Sequence, residues 1–337
     1  MSNPETLRVG LDLDGSLESL DNTMTDLADA LSLTGECELV RFRTLSAPSA
    51  ANEEKLAMRF LWTPLWRRSL GRSLDSMISP VDVVHVAGLV TPPTKSVPLI
   101  ISVDDLRPLR GESREHQRIK QLRRAVARGA VLVASSRAAS HEVQRVLQLQ
   151  RSEVVVVPPA VPLVTPTTNG RDLVVNVTGL DQRFLALAPE LLRFTQSHGV
   201  ELIAVTSTAV GQRIRASGLD VTLLARKEAR AALGRARVVL HMSDGARFPS
   251  LAIAALGAGV PTIALATDIN RELLGGAATL IVDDEEVMSM LPDVWSSESL
   301  RAIMVAAGRS RSADFAPATA ARAYVMLYRD VVRGWKP

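Results

Sequence analysis

The chain has 337 residues, 47% hydrophobic and 22% charged, with 39 Lys and Arg against 36 Asp and Glu and a formal net charge of +3. That composition excludes a disordered chain, and the length suits two cores of about 150 residues each rather than one. No run approaches the roughly 18 uncharged apolar residues of a membrane span. Cys37 is the only cysteine, which excludes an intrachain disulfide and argues against a Cys-based zinc site.

The opening "MSNPETLRVG" has no basic segment followed by an apolar stretch, so no secretory leader is expected and the reading is of a cytoplasmic protein. "LRVGLDLDG" then reads as a strand and "LESLDNTMTDLADALSL" as a helix, followed by strand-like "CELVRFR", "VDVVHVAG", "VPLIISVDD" and "AVLVASS". "SRAASHEVQRVLQ" reads as a helix with Ser135 or Ser136 as its N-cap, and "SEVVVVPPAVP" as a buried strand ended by prolines. The Thr-, Pro- and Gly-rich "LVTPTTNGRD" marks a domain boundary. The alternation then restarts, with strands at "LVVNVTG", "VELIAVTS", "DVTLLA", "RVVLHMS", "PTIALAT" and "ATLIVDD" and helices between them. "APATAARAYVMLYRDVVRG" closes the chain as an amphipathic helix.

Apolar, β-branched strands alternating with helices predict an α/β chain of two Rossmann-like parallel-sheet domains facing a cleft. The expected division is residues 1–162, residues 163–315, and a C-terminal helix, 316–337, packing back on the first domain. Ligands of such sheets sit beyond the carboxyl ends of the strands. That directs attention to the loops "LDGSLESLDN", "VAGLVTPP", "VDDLRPLR", "VTGLDQRF" and "MSDGARFPS".

Two first-half stretches are strongly basic, "RFLWTPLWRRSLGR" (Arg59–Arg72) and "LRPLRGESREHQRIKQLRRAVARGA" (Leu106–Ala130). Basic helices carrying tryptophan can lie on anionic lipid, so the 59–72 segment is a candidate peripheral contact with the inner membrane face. The plainer alternative is a solvated basic face with Trp62 and Trp66 packed inward. No nucleic-acid partner is expected, since zinc-finger spacing and an RNP-like strand are missing and aromatics are only 4%. The five histidines show no metal-ligand spacing, and no G-x-S-x-G, Walker or G-x-G-x-x-G pattern occurs. His85 and His241 fall at or near strand ends, as ligand contacts or as satisfied structural histidines.

The stretch "ARVVLHMSDGARFPSLAIAALGAGVPTIALATDINRELLGGAATLIVDD" (Ala236–Asp284) resembles the donor-side half of nucleotide-sugar-dependent glycosyltransferases of the GT-B fold, the retaining family-4 type. That family shows a strand, a Glu-Gly-Phe-Pro or Glu-Gly-Phe-Gly loop, a helix with Glu-Ala-Met-Ala, then Gly-x-Pro and another strand. "RFPSLAIAALGAGVP" fits the register without a gap. "DVVHVAGLVTPP", "IISVDDLRPLR", "VLVASSRAASHEVQRVL" and "LVVNVTGLDQRFLALAPELL" extend the resemblance over nearly the whole chain.

The resemblance implies a UDP-, GDP- or ADP-sugar as co-substrate, with neither a further cofactor nor a metal. It also exposes departures. The family's two glutamates, one by the donor sugar and one on the ribose hydroxyls, fall on Ala246 and Ala254. Its diphosphate-binding Arg and Lys fall on Gly179 and Phe184, with Arg183 adjacent as a replacement or as an ordinary helix-start arginine. A departing diphosphate calls for such cations, because charge develops on it in the transition state. The glycine-rich turn after the first strand is replaced by Gly15 among Asp12, Asp14, Glu18 and Asp21, which would repel a diphosphate. The family's loop His falls on Asp104, a candidate for a sugar hydroxyl and equally a turn or capping aspartate.

Two readings follow. In the first the protein transfers a sugar from a nucleotide donor, with retention. Arg183, Arg247 and the helix start at Phe248, Pro249 and Ser250, through its amides except at Pro249, hold the diphosphate beside Gly179, and Asp104 and Asp244 are the candidate catalytic or sugar-contacting carboxylates. In the second the site is degenerate, and the chain serves as a binding or structural partner, of an active glycosyltransferase or of a second copy of itself.

Overall fold

The computed structural model describes residues 6–14, 23–68, 70–87, 90–103, 112–150, 153–162, 164–165, 170–177, 181–225, 228–243 and 247–336. Asp104, Gly179, Asp244 and Ala246 lie outside them, as do Gly15, Glu18 and Asp21. The chain forms two compact units, Met1–Ala160 with Pro317–Pro337, and Val161–Ala316.

The first unit holds a seven-stranded sheet in which every pairing is parallel. Its strands are β1 (Leu7–Asp12), β2 (Cys37–Phe42), β3 (Glu53–Glu54), β4 (Val83–Ala87), β5 (Leu99–Ser102), β6 (Val131–Ala134) and β7 (Val154–Val156), in the order β3-β2-β1-β4-β5-β6-β7. Helices α1 (Thr23–Thr34), α2 (Arg59–Trp66), α3 (Glu112–Val126) and α4 (Arg137–Leu147) lie between the strands. Ser136 caps α4, its side chain accepting from the Ala139 amide. The last helix, α12 (Pro317–Gly334), belongs to this unit. Its Ala320, Ala321, Tyr324, Val325 and Tyr328 share one core with Leu27 and Leu31 of α1 and with Val9 and Leu11 of β1.

Polar groups at the carboxyl end of β1 are consumed internally. Asp12 is fully buried and accepts from Thr44 Oγ1 at 2.6 Å, from the Thr44 amide at 3.2 Å and from the Asp14 amide at 3.0 Å. Asp14 accepts from the Leu45 amide, the Ser46 amide and Ser46 Oγ. These two carboxylates tie the end of β1 to the segment after β2. Burial first, and the Asp14 charge second, push the Asp12 carboxyl up to about 8. His85 on β4 is also satisfied: Nδ1 lies 2.8 Å from Tyr328 Oη and Nε2 lies 2.8 Å from Ser102 Oγ, with the ring stacked on Tyr324. Burial pushes its imidazole down to about 3. It therefore locks α12 onto the sheet as a neutral structural histidine.

The second unit holds a six-stranded, fully parallel sheet of β8 (Asp172–Val177), β9 (Leu202–Thr206), β10 (Thr222–Ala225), β11 (Ala236–His241), β12 (Thr262–Leu265) and β13 (Thr279–Ile281), in the order β10-β9-β8-β11-β12-β13. Helices α5 (Asp181–Ser197), α6 (Thr208–Ala216), α7 (Ala229–Leu233), α8 (Ser250–Gly257), α9 (Asp268–Leu273), α10 (Glu285–Ser296) and α11 (Glu298–Ser312) complete it. Among the described residues no helix is long and apolar enough to cross a membrane.

Candidate functional site

The strand order of the second sheet reverses between β8 and β11, the position at which open α/β sheets place their ligands. The register puts Asn176 of β8 opposite His241, the last residue of β11. Both are buried, and Asn176 Nδ2 lies 3.0 Å from His241 Nδ1. An amide NH₂ can only donate, so Nδ1 accepts. Burial pushes the imidazole down to about 4, so the neutral ring carries its single proton on Nε2. That nitrogen is buried and has no partner. An unpaired buried donor of this kind costs about 1–3 kcal/mol, and in a native fold an ordered water or a bound acceptor meets it.

The same edge carries three more orphans. Ser250 Oγ at the first turn of α8, Asn270 Oδ1 on α9 and Asp284 Oδ1 at the head of α10 are each buried without a hydrogen-bond partner. Each follows a strand of the same sheet: β11, β12 and β13. Asn270 is held in place by its Nδ2, which donates to the Leu265 carbonyl at the end of β12 at 2.8 Å. Among the described residues, six buried side-chain polar atoms lack a hydrogen-bond partner, one of them, Arg8 Nε, being ion-paired to Glu38, and four lie on this one edge. The concentration makes this edge the candidate ligand site of the second unit.

Arg183 is placed on α5, one-third exposed, with Nε 2.9 Å from Asp284 Oδ2. The cation expected to meet a diphosphate is therefore already engaged by a carboxylate of the same unit. Phe184 points into the core beside Leu187, Leu240 and Ile263, so the position the resemblance gives to a diphosphate-binding lysine is structural. Arg247 is half-buried ahead of α8. Phe248 is buried edge-on to Phe315, with ring centroids 5.7 Å apart. Pro249 has no amide hydrogen, and the Ser250 amide donates to the Phe248 carbonyl at 3.0 Å. Of the two amides expected to face the ligand, that of Ser250 is thus already engaged; its side chain is the free group instead.

Helix α8 is buried on nearly every side, which accounts for its uninterrupted apolar sequence. It packs on β11, β12 and α11. The approach to α11 requires glycine: a Cβ on Gly308 would stand 3.1 Å from Leu256 Cδ2 and 3.3 Å from its Cα. Ala254 belongs to this buried surface. Among the described residues no three His, Cys, Asp or Glu side chains group into a metal site.

The fold has close counterparts. Sucrose-phosphate synthase from Thermosynechococcus elongatus is 14% identical, with a TM-score of 0.72, and the match covers 98% of this chain and 100% of that one. HepE of Anabaena, solved with UDP and glucose, is 14% identical at a TM-score of 0.65, covering 96% and 100%. WaaG, a glycosyltransferase involved in lipopolysaccharide biosynthesis, is 15% identical at 0.64, covering 98% and 100%. No protein-family model matches the chain, and no curated protein sequence matches it. Its two all-parallel α/β sheets have the fold of GT-B glycosyltransferases.

Proposed function

We propose that the protein is a glycosyltransferase whose second unit binds a nucleotide-sugar at the carboxyl edge of β8, β11, β12 and β13, transferring the sugar with retention. The observation that carries this reading is the set of four orphaned buried polar atoms on that edge. His241 Nε2–H and Ser250 Oγ–H are donors suited to ligand oxygens, and Asn270 Oδ1 and Asp284 Oδ1 are acceptors suited to sugar, ribose or base hydrogens. They stand in for the two glutamates that the alanines replace. HepE, of the same fold, was solved with UDP and glucose, which supports a UDP-sugar as the first donor to try. Asp104 and Asp244 remain the proposed carboxylates for the sugar.

A second reading rests on Arg183, Phe184 and Ala254. The first is tied to Asp284, the second is core and the third is a buried methyl. Losing several charged hydrogen bonds of about 1.5–3 kcal/mol each weakens donor binding by orders of magnitude unless other groups replace them. In that case the protein acts by binding an active glycosyltransferase or a second copy of itself.

Calorimetric titration of the full chain with UDP-, GDP- and ADP-sugars separates the two. Binding accompanied by donor hydrolysis or transfer supports the enzyme. Binding without turnover supports the degenerate partner, and no heat at millimolar ligand rules out the donor site.

A further inference from the structure

The first unit carries a surface that sugar transfer does not require. Among the described residues ten large hydrophobic side chains are exposed, and four of them, Met58, Phe60, Leu61 and Leu70, crowd onto α2 and its flanks. Phe60 is 73% exposed. These side chains project from a rigid base. Trp66 is fully buried, its Nε1 donates to the Arg72 carbonyl at 2.9 Å, and Gln121 Nε2 of α3 donates to the Trp66 carbonyl at 2.9 Å. Trp62 packs against the same core, and Gly71, at a φ of +98°, closes the loop over Trp62 and Leu65. The two tryptophans are anchors of the segment, and the exposed apolar groups are Phe60 and its neighbours.

The two segments that build this knob carry charge of one sign. Residues 55–72 contain Lys55, Arg59, Arg67, Arg68 and Arg72 and no carboxylate, and residues 117–128 of the adjoining α3 segment contain Arg118, Lys120, Arg123, Arg124 and Arg128, again with none. The two segments touch: Arg124 donates to the Arg68 carbonyl at 3.3 Å. Lys55, Arg67, Arg68, Arg72, Lys120 and Arg124 are exposed. Solvation explains a basic face, but it does not explain unpaired Phe, Leu and Met standing out among the arginines.

We infer that α2 and its flanks form a docking surface for an anionic lipid bilayer: Phe60, Leu61, Met58 and Leu70 enter the headgroup region and the surrounding arginines meet lipid phosphates. Apolar insertion combined with attraction to acidic headgroups is the physics of peripheral membrane binding. The inference is independent of the donor-site reading, because it is read out by vesicle binding and not by nucleotide.

The test is co-sedimentation of the full chain with vesicles of phosphatidylcholine alone and of phosphatidylcholine with roughly a third phosphatidylglycerol. Binding to the anionic vesicles is expected to be at least ~10-fold stronger and to weaken with salt. Phe60→Ser/Leu61→Ser and Arg67→Glu/Arg68→Glu should each lower it about 10-fold, whereas Leu33→Ser, at an exposed site outside this segment, should not. A Phe60→Trp variant should shift its emission to the blue on anionic vesicles, which reports insertion even if a double variant folds poorly. Equal binding to both vesicles, binding to neither, or full binding by a folded Phe60→Ser/Leu61→Ser protein would overturn the inference.

Discussion

Asn176 and His241 hold each other across the reversal point of the second sheet, Nδ2 to Nδ1 at 3.0 Å, and this contact fixes the proton of the ring on the nitrogen that has no partner. A group whose two nitrogens serve structure and ligand separately should show different effects on folding and binding when removed. His241→Leu is expected to change the melting temperature little, since deleting the orphan donor, worth about 1–3 kcal/mol, is offset by removing the acceptor of the Asn176 amide. Binding of UDP or UDP-sugar by the same variant should fall about 10-fold or more. Parallel thermal melts and calorimetry read both, and a variant that loses stability but keeps its ligand would assign His241 to structure alone.

The Arg183–Asp284 ion pair gives a second, opposite prediction. If Arg183 is the cation for the donor phosphates, Asp284 competes with the ligand for it. Asp284→Asn keeps the side-chain shape and releases the guanidinium, so affinity for inorganic diphosphate should rise several-fold. Since the pair is one-third exposed, its removal should cost less than ~1 kcal/mol of stability. Unchanged diphosphate affinity in an intact fold would remove Arg183 from the site.

The pH dependence of stability follows from two buried groups of opposite sense. Asp12 is raised to about 8, so its contribution is full below pH 4 and is lost as pH rises through 8. Asp12→Asn supplies the amide equivalent of the protonated acid, with an oxygen for the Thr44 and Asp14 amides. The variant should gain on the parent between pH 5 and pH 9 by on the order of a few kcal/mol, measured by urea unfolding. His85 is lowered to about 3, so its contribution is present above pH 6.5 and is lost as pH falls toward 3. His85→Gln should flatten that acid limb. A parent and an Asp12→Asn curve that stay parallel to pH 9 would mean Asp12 is ionised in the fold.

The α8–α11 contact offers a packing test at Gly308 and Leu256, neither of which is a candidate group. Gly308→Val places carbon within 3.3 Å of Leu256 backbone, which cannot yield as a side-chain tip can. A loss of about 1–3 kcal/mol is expected in chemical denaturation.

Much of the fold was legible. Strands such as "VDVVHVAG", "VPLIISVDD" and "RVVLHMS" stand out as β-branched runs; the observed β4 and β5 fall inside the first two, and β11 begins one residue before the third, at Ala236. The expectation of two α/β parallel sheets holds. Short elements were harder: β3 is two glutamates, with no periodicity to read. At the candidate site the sequence exposed the losses, Ala254 and Phe184, because they are visible against a motif. It did not expose the replacements. Asn176 interrupts the apolar run "LVVNVTG" and His241 interrupts "RVVLHMS", the one signal each gave. An orphaned atom, however, is defined by what fails to approach it, and only coordinates show that. The Arg183–Asp284 pair was hidden for a related reason: it joins the helix after β8 to the head of the helix after β13.

The bond between His85 and Tyr328 also has a bearing on biosynthesis. The tyrosine lies on α12, and the ribosome makes α12 after every residue of the second unit. The second unit is continuous and can close as soon as it emerges. The core of the first includes Tyr324, Val325 and Tyr328, which are made after the second unit. The unit whose synthesis begins first thus has its core completed only after the second unit has been made, in contrast to the usual N-to-C order in which domains become complete.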